Sequence, residues 1–157
     1  MAFVDKNNIL YLNQFGFRRY HSTVDALIKC HDYIVEQNLQ NKQTVAILLD
    51  LKKAFDSLDP SILIKKLDAY GISGPFNSIL ESYLTNRTAL TKTNGTLSSI
   101  ETINYGVPQG SVLGPILFDL YINDIKNIAD DLEINLFADD TVAFCTGDLN
   151  EIEDLCN

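Results

Sequence analysis

The sequence has no tryptophan, a single methionine and only three cysteines among its 157 residues. Cys30, Cys145 and Cys156 are odd in number and have no paired spacing, which argues against a disulfide framework or a zinc site and favours reduced thiols. No apolar run is long enough to cross a bilayer, and the N-terminus lacks the basic and apolar regions of a signal peptide. These absences predict an intracellular protein that is neither secreted nor bound to a membrane.

Basic residues are scarce in the C-terminal part of the chain. Residues 1–92 hold eleven of the twelve Lys and Arg residues and nine acids, a net charge of +2. Residues 93–157 hold one base and twelve acids, a net charge of −11. The total of −9 by itself disfavours a nucleic-acid partner. A metal site accounts for part of the acidic excess, but not for all of it.

Length and 46% hydrophobic content predict one globular domain, and no repeat or linker divides it. Apolar residues at helical spacing predict a helix from the N-cap Ser22 to about Gln40. The segment Thr44–Leu51 is apolar and β-branched without alternation, which predicts a buried strand. Asp59, followed by a proline, caps a helix that ends at Gly71.

The second half continues the same mixture of helices and strands. The elements predicted there are a helix over Phe76–Thr85, a hairpin of Arg87–Thr93 and Leu97–Tyr105 about the turn Asn94-Gly95, a helix over Val112–Ile125, strands over Glu133–Ala138 and Thr141–Cys145, and a helix beginning at Asp148. This order predicts an α+β fold, with an antiparallel sheet covered by helices on one face.

Two adjacent carboxylates, Asp139 and Asp140, interrupt the apolar stretch NLFADDTVAF. An ordinary polar turn is the simpler interpretation, since Asp favours turns. Asp50, however, ends the other apolar strand, TVAILLDL, where an unpaired buried carboxylate is costly. Carboxylates that converge at one sheet end suit hard divalent cations such as Mg²⁺. Two such ions roughly 3.5–4 Å apart support phosphoryl or nucleotidyl displacement.

The stretch GVPQGSVLGPILF begins with a glycine-rich loop, GVPQGS, that leads into the predicted helix over Val112–Ile125. Its glycines and prolines indicate a constrained backbone that approaches a ligand closely, and Gln109 offers both a hydrogen-bond donor and an acceptor. Taken without its neighbours, this stretch is only a loop rich in turn residues.

Several motifs together resemble the reverse transcriptases of non-LTR (LINE-type) retrotransposons, and they span nearly the whole chain in that family's order. They are QFGFRRYHSTVDAL (Gln14–Leu27), LDLKKAFDSLD (Leu49–Asp59), SYLTNR (Ser82–Arg87), GVPQGSVLGPILFDLYINDI (Gly106–Ile125) and LFADDT (Leu136–Thr141). The resemblance implies the palm of a right-hand polymerase, an antiparallel sheet packed on helices, with partial fingers and no thumb. Residues of about 1–43 would then form a fingers-side segment, and residues of about 44–157 the palm.

The family also implies a role for each matching residue. The ligands of two Mg²⁺ ions, which Mn²⁺ can replace, would be Asp50, Asp139 and Asp140, joined by the backbone carbonyl of Leu51. The remaining roles would be a steric gate against a 2′-OH at Phe55, nucleotide binding at Gln109 and Gly110, and contact with template or nucleotide at Arg18. Arg87 is left open between nucleic acid and an acidic partner.

The implied partners are an RNA template, a DNA primer, dNTPs and the rest of a parent polyprotein, with no membrane. The resemblance places the protein in the nucleus or cytoplasm as a ribonucleoprotein. A thumb and a later pyrophosphate-assisting Lys are expected to be missing, so we expect weak or absent activity from these residues alone.

Two alternatives stay open. The first is a catalytically inactive retroelement remnant that binds nucleic acid or protein, and its acidic balance is expected if the basic, phosphate-binding parts of the parent protein were lost. The second is the palm of an RNA-dependent RNA polymerase, against which the aromatic Phe55 argues.

Overall fold

A computed structural model describes residues 2–128 and 131–148 of the chain. It divides into two compact units, unit one with residues 1–51 and 122–157 and unit two with residues 52–121. The helices and strands are, in chain order, α1 (Ala2–Lys6), α2 (Thr23–Leu39), β1 (Gln43–Leu49), α3 (Ala54–Ser57), α4 (Pro60–Ala69), α5 (Pro75–Leu84), β2 (Arg87–Ala89), β3 (Lys92–Thr93), β4 (Thr96–Leu97), β5 (Glu101–Ile103), α6 (Gly114–Ile122), a 3₁₀ helix (Asn123–Asn127), β6 (Glu133–Phe137) and β7 (Asp140–Gly147). Mixed helices and antiparallel sheets confirm the predicted α+β class.

The longest helix, α2, begins where the sequence predicts. Ser22 is its N-cap, and its side chain accepts a hydrogen bond from the backbone N–H of Asp25, while the Asp25 carboxylate accepts one from the backbone N–H of Ser22. This reciprocal arrangement satisfies two backbone groups at the helix start. The Asp25 carboxylate also accepts a hydrogen bond from the Ser22 hydroxyl at 2.6 Å, and this bond, together with the one from the Ser22 backbone N–H, lowers the pKa of Asp25 below its ordinary value of 3.8.

Unit one contains an antiparallel sheet with strand order β1-β7-β6. Helix α2 packs on one face of this sheet, where Lys29 lies 3.4 Å from the carboxylate of Glu133 and the ring of Tyr33 lies 5.3 Å from that of Phe144. The opposite edge of β6 is extended by a parallel bridge between Gln14 and Leu136.

The prediction that β1 is a buried strand is wrong. β1 is an edge strand, paired only with β7 within the part of the chain that the structure describes, and most of its residues are exposed. Leu48, for example, is 82% exposed. An apolar run without alternation indicates a strand with two covered faces, but the burial of a strand depends on the elements beside it, which periodicity does not encode.

Unit two holds helices α3 to α5, two small antiparallel sheets and most of α6. Asp59 caps α4 by accepting a hydrogen bond from the backbone N–H of Ser61 at 2.8 Å, with Pro60 in the first turn. The predicted hairpin is confirmed, with Asn94 and Gly95 both at positive φ in its turn. Its strands form two short ladders, β2 with β5 and β3 with β4.

The predicted helix over Val112–Ile125 is shorter in the structure. It begins at Gly114, and the chain changes at Asn123 from α-helical to 3₁₀ geometry. The predicted helix that begins at Asp148 lies outside the described residues, apart from Asp148 itself. No helix within residues 2–128 and 131–148 has the length and apolar character needed to span a membrane.

Candidate active site

Asp50 and Asp140 lie opposite one another at one end of the unit-one sheet. The pairing of β1 with β7 ends at Leu49 opposite Thr141, so the next residue on each strand is one of these two aspartates. Because side chains alternate along a strand, both carboxylates lie on the sheet face that carries Leu48 and Val142, the face on which α2 packs.

Asp139 lies in the turn that precedes β7. Phe137 pairs with Asp140, so Ala138 and Asp139 form a two-residue hairpin turn. Asp139 is half-buried, whereas Asp50 and Asp140 are exposed. The sequence-based argument that Asp50 needs a partner because it is buried is therefore wrong. What opposes the arrangement is the repulsion between two like charges on neighbouring strands.

No group of three Asp, Glu, His or Cys side chains within residues 2–128 and 131–148 is arranged so that it could hold a metal ion. The structure thus places Asp50 beside Asp140 and leaves Asp139 in the adjoining turn. The donor chemistry suits a hard divalent cation, since all the oxygens belong to carboxylates and two of the three groups are open to solvent. The three-carboxylate site, with the carbonyl of Leu51, stays a prediction.

A cavity of about 440 Å³ lies between α2 and the sheet face that carries these carboxylates. Asp50 and Asp140 both line it, together with apolar side chains such as Leu27 from α2. Cys30 also lines the cavity, and burial raises the pKa of its thiol. A bound molecule therefore has room next to both aspartates.

The turn that carries Asp139 has a strained backbone. Ala138 has a φ of +58°, in the left-handed region that costs a residue with a Cβ roughly 1–2 kcal/mol. The side chain of Gln14 contacts this residue from the segment before α2. In the sequence, Gln14 is notable only as the first residue of the motif QFGFRRYHSTVDAL. The one local indication of its position is Gly16, two residues later, whose backbone N–H donates to the Gln14 side chain.

In unit two, the glycine-rich loop is hydrogen-bonded to the segment that holds Phe55. The backbone N–H of Gly106 donates to the carbonyl of Leu58 at 2.6 Å, and that of Val107 donates to the carbonyl of Phe55 at 2.9 Å. Gly106 has a φ of +79°, and a Cβ there would lie 2.7 Å from the Phe55 carbonyl oxygen. Only glycine allows this approach, which joins two motifs that lie about fifty residues apart.

The predicted nucleotide-binding residues of unit two are therefore near one another. Phe55 is half-buried and stacks on Phe118, with ring centroids 4.6 Å apart. Gln109 is exposed, and its amide donates to the carboxylate of Asp56 at 2.7 Å. Gly110 is exposed at a φ of +77°. Their roles toward a nucleotide stay predictions.

Two arginines contact backbone carbonyls. Arg18 donates to the carbonyls of Tyr11 at 3.1 Å and Gln14 at 3.0 Å, so it supports its own loop, and its contact with template stays a prediction. Arg87 donates to the carbonyls of Leu84, Tyr105 and Gly106. The sequence leaves Arg87 open between nucleic acid and an acidic partner, and neither alternative includes backbone carbonyls. These hydrogen bonds connect the end of α5 to the start of the glycine-rich loop.

Comparison of the chain with models of known protein families identifies the family to which it belongs. Residues 2–157 match the family model described as "Reverse transcriptase (RNA-dependent DNA polymerase)". The chain belongs to the reverse transcriptase family. Members of this family generally use divalent metal ions.

Several relatives of this reverse transcriptase chain are named as RNA-directed DNA polymerases of Drosophila non-LTR retrotransposons, which confirms the resemblance seen in the motifs. The chain is 33% identical over 136 residues to the RNA-directed DNA polymerase from mobile element jockey of Drosophila melanogaster, covering 82% of the chain and 15% of the relative. It is 32% identical over 120 residues to the probable RNA-directed DNA polymerase from transposon BS of the same organism, covering 76% of the chain and 13% of the relative. The chain therefore spans roughly a seventh of the length of these curated relatives.

Solved structures confirm the polymerase palm fold of this reverse transcriptase chain. Telomerase from Candida tropicalis in complex with a TWJ fragment of telomeric RNA matches it with a TM-score of 0.70 at 15% identity, over 98% of this chain and 29% of that chain. The apo telomerase from the same organism gives a TM-score of 0.69 at 14% identity, over 99% of this chain and 32% of the other.

Proposed function

We propose that this chain supplies the catalytic carboxylates of an RNA-directed DNA polymerase of a non-LTR retrotransposon. The observation that carries the proposal is that Asp50, directly after β1, and Asp140, the first residue of β7, line the same cavity beside the turn that holds Asp139, in a chain of the reverse transcriptase family. Their like charges repel each other, and a bound divalent cation would offset that repulsion.

In the proposed mechanism, unit one positions the negatively charged carboxylates. Asp50, Asp139 and Asp140, with the carbonyl of Leu51, would hold two Mg²⁺ ions, which Mn²⁺ could replace. The chemistry supplied there would be activation of the attacking 3′ oxygen and stabilisation of the leaving group during nucleotidyl transfer. The sheet contributes rigidity, because Asp140 begins β7 and Asp50 directly follows Leu49, the last paired residue of β1.

The residues of unit two select and hold the nucleotide. Phe55, whose ring is fixed against Phe118, packs against the sugar and excludes a 2′-OH. Gln109 binds the nucleotide through its side-chain amide, and Gly110 through its exposed backbone. The Gln109 amide either gives up its hydrogen bond to the Asp56 carboxylate when the nucleotide binds or contacts both groups at once.

The proposed partners are an RNA template, a DNA primer and dNTPs, together with the thumb and endonuclease regions of a longer polypeptide. RNA binding agrees with the RNA-bound telomerase whose fold the chain shares. Arg18 contacts template or nucleotide if its guanidinium exchanges loop carbonyls for phosphate. We propose an intracellular ribonucleoprotein, in the nucleus or cytoplasm, in agreement with the free thiols of Cys30 and Cys145.

Metal binding by the chain itself tests the proposal. Mn²⁺ is titrated against the wild type and against the double variant Asp139→Asn, Asp140→Asn, with Asp124→Asn as a control of equal chemistry outside the site. The double variant is expected to lose most of the affinity, and the control to keep it. Equal binding by all three proteins would contradict the proposed site.

Primer extension on an RNA template tests the activity. Because the chain is roughly a seventh of its relatives' length, we expect little or no extension from it alone and extension when it is joined to the flanking regions of a longer polypeptide. In an active longer form, Phe55→Val is expected to increase ribonucleotide incorporation, and an unchanged sugar preference would argue against the gate.

A non-catalytic remnant is the second candidate. It is favoured by the absence of a three-membered metal-binding group within the described part of the chain. Nucleic-acid binding without metal binding, unaffected by the double variant, is the result that would select it.

A further inference from the structure

The turn between β6 and β7 requires support from outside its own hairpin. Ala138, its first residue, lies at a φ of +58°, a conformation that residues other than glycine, asparagine and aspartate rarely adopt. Such a conformation persists only when surrounding contacts impose it. Because Asp139 follows directly, whatever holds Ala138 also sets the direction in which the Asp139 carboxylate leaves the turn.

The side chain of Gln14 supplies that support. Its Oε1 accepts hydrogen bonds from the backbone N–H of Gly16 at 2.8 Å and from that of Ala138 at 3.1 Å, and its Nε2 contacts the carbonyl oxygen of Ala138 at 3.4 Å. Gln14 is only 1% exposed, so water does not compete for these bonds. One amide thus engages both backbone polar groups of the strained residue.

The backbone around Gln14 fixes its position relative to the turn. The backbone N–H of Leu136 donates to the carbonyl of Asn13, and that of Phe15 donates to the carbonyl of Leu136, both at 2.8 Å. Gly16 approaches so closely that a Cβ there would lie 2.2 Å from the backbone nitrogen of Ala138. These contacts join a segment near the N-terminus directly to the aspartate turn more than 120 residues later.

From this geometry we infer that Gln14 is a positioning residue for the carboxylates of Asp139 and Asp140. It acts by holding Ala138 in the left-handed conformation, so that the turn presents Asp139 beside the Asp50–Asp140 pair rather than away from it. The expected effect of Gln14 on metal affinity rests on the proposed function. The expected effect of Gln14 on the conformation of the turn does not. Groups that orient metal ligands in this way typically change metal affinity or activity by about 10–100-fold when removed.

Three variants of the full 157-residue chain test it. Gln14→Met keeps length and approximate volume but removes all three polar contacts, whereas Gln14→Glu keeps an oxygen that can accept from Gly16 and Ala138. Asn123→Leu is the control, because Asn123 is also a buried amide, accepts from the backbone N–H of Tyr11 and donates to the carbonyl of Ile9. It should cost stability without touching the turn.

Two readouts are needed. The first is hydrogen exchange at the Gly16 and Ala138 amides, which is independent of metal. Gln14→Met is expected to accelerate exchange at both amides at least tenfold relative to the other amides of β6 and β7, while Gln14→Glu and Asn123→Leu are not. The second is Mn²⁺ affinity, expected to fall about 10–100-fold in Gln14→Met and by less than about threefold in the control.

The outcomes separate the inference from the proposed function. The positioning role is overturned if a folded Gln14→Met variant exchanges the Ala138 amide hydrogen as slowly as the wild type. It is also overturned if the wild type binds Mn²⁺ and the variant binds it equally tightly. If the wild type binds no Mn²⁺, the proposed metal site fails, and amide exchange alone decides the role of Gln14. If Gln14→Met does not fold, Gln14→Glu decides, since lost protection at Ala138 despite the retained acceptor would refute the inference.

Discussion

Replacing Gly16 by alanine is the sharpest test of how the aspartate turn is built. The added methyl would lie 2.2 Å from the backbone nitrogen and 2.8 Å from the Cα of Ala138, where ordinary contacts begin at 3.4 Å. The obstructing atoms are backbone, so no side-chain rotation relieves the overlap. The segment around Gly16 and the turn must therefore separate by about 1 Å, which is the shortfall from ordinary van der Waals contact.

The expected cost follows from two contributions. Overpacking of this kind typically costs about 1–3 kcal/mol and occasionally more. The displacement also weakens the hydrogen bonds that Gln14 makes with Gly16 and Ala138, at about 1 kcal/mol for each bond lost. Together these predict a loss of about 3–5 kcal/mol in the free energy of unfolding of unit one.

Urea unfolding followed by circular dichroism measures this loss, and amide chemical shifts of Ala138 to Asp140 locate it. A loss of 3 kcal/mol lowers the urea midpoint by about 1 M or more. Gly95→Ala is the control for backbone strain without overlap, because Gly95, unlike Gly16, has a positive φ of +81° but has no atom within 4 Å of an added Cβ. It is expected to cost only about 1–2 kcal/mol, the conformational cost alone.

The reasoning would be refuted if Gly16→Ala cost no more than Gly95→Ala and left the amide shifts of the turn unchanged. That result would mean that the two segments are not in contact as described, and it would remove the geometric basis for the support that Gln14 gives to Ala138.

Three further outcomes are expected. Asp140→Asn should stabilise the metal-free chain by about 0.2–1 kcal/mol at low salt, because it removes the like charge opposite Asp50, and the gain should shrink in high salt. Arg87→Gln should destabilise unit two by about 1–3 kcal/mol in urea unfolding, since the three carbonyls that Arg87 binds lose a charged donor. The pKa of Asp25 is lowered by its hydrogen bonds with Ser22, so its contribution is present above pH 3.8 and is lost as the pH falls through the folded-state pKa. Helicity followed by circular dichroism should therefore decline less steeply below that pH in Asp25→Asn than in the wild type.

The first two of these have control variants, and each has a result that would contradict it. Glu101→Gln changes an equal charge in unit two and should show no comparable salt-dependent gain, and an equal gain would indicate a general charge effect rather than the Asp50–Asp140 pair. Arg19→Gln removes an exposed arginine. If it lowered the free energy of unfolding as much as Arg87→Gln does, the stabilising role of the three carbonyl contacts of Arg87 would be contradicted. An unchanged acid profile in Asp25→Asn would show that the cap of α2 does not govern it.

Several elements could be predicted from sequence because their causes are local. The start of α2 follows from Ser22 and Asp25, three residues apart, and the hairpin follows from Asn94-Gly95, whose residues tolerate positive φ. The family and the fold class also followed from ordered motifs, as the comparisons confirm. Interactions over three or four residues do not depend on how the rest of the chain folds.

Long-range relations could not be predicted in the same way. The run Thr44–Leu51 has the composition of a buried strand, yet the strand order leaves it at the edge, because burial is set by neighbours in space. Arg87 gives no sign in sequence that its partners are carbonyls up to nineteen residues away.

The sequence by itself identified the family and the candidate carboxylates, because Asp50, Asp139 and Asp140 lie in motifs that occur in the family's order, and their part in the chemistry stays a prediction. The tertiary structure alone decided how they are arranged. Strand register places Asp50 opposite Asp140, and Gln14 reaches across 124 residues to hold Ala138 in the turn. Register and such contacts depend on which segments the folded chain brings together, and that information lies in packing rather than in any local pattern.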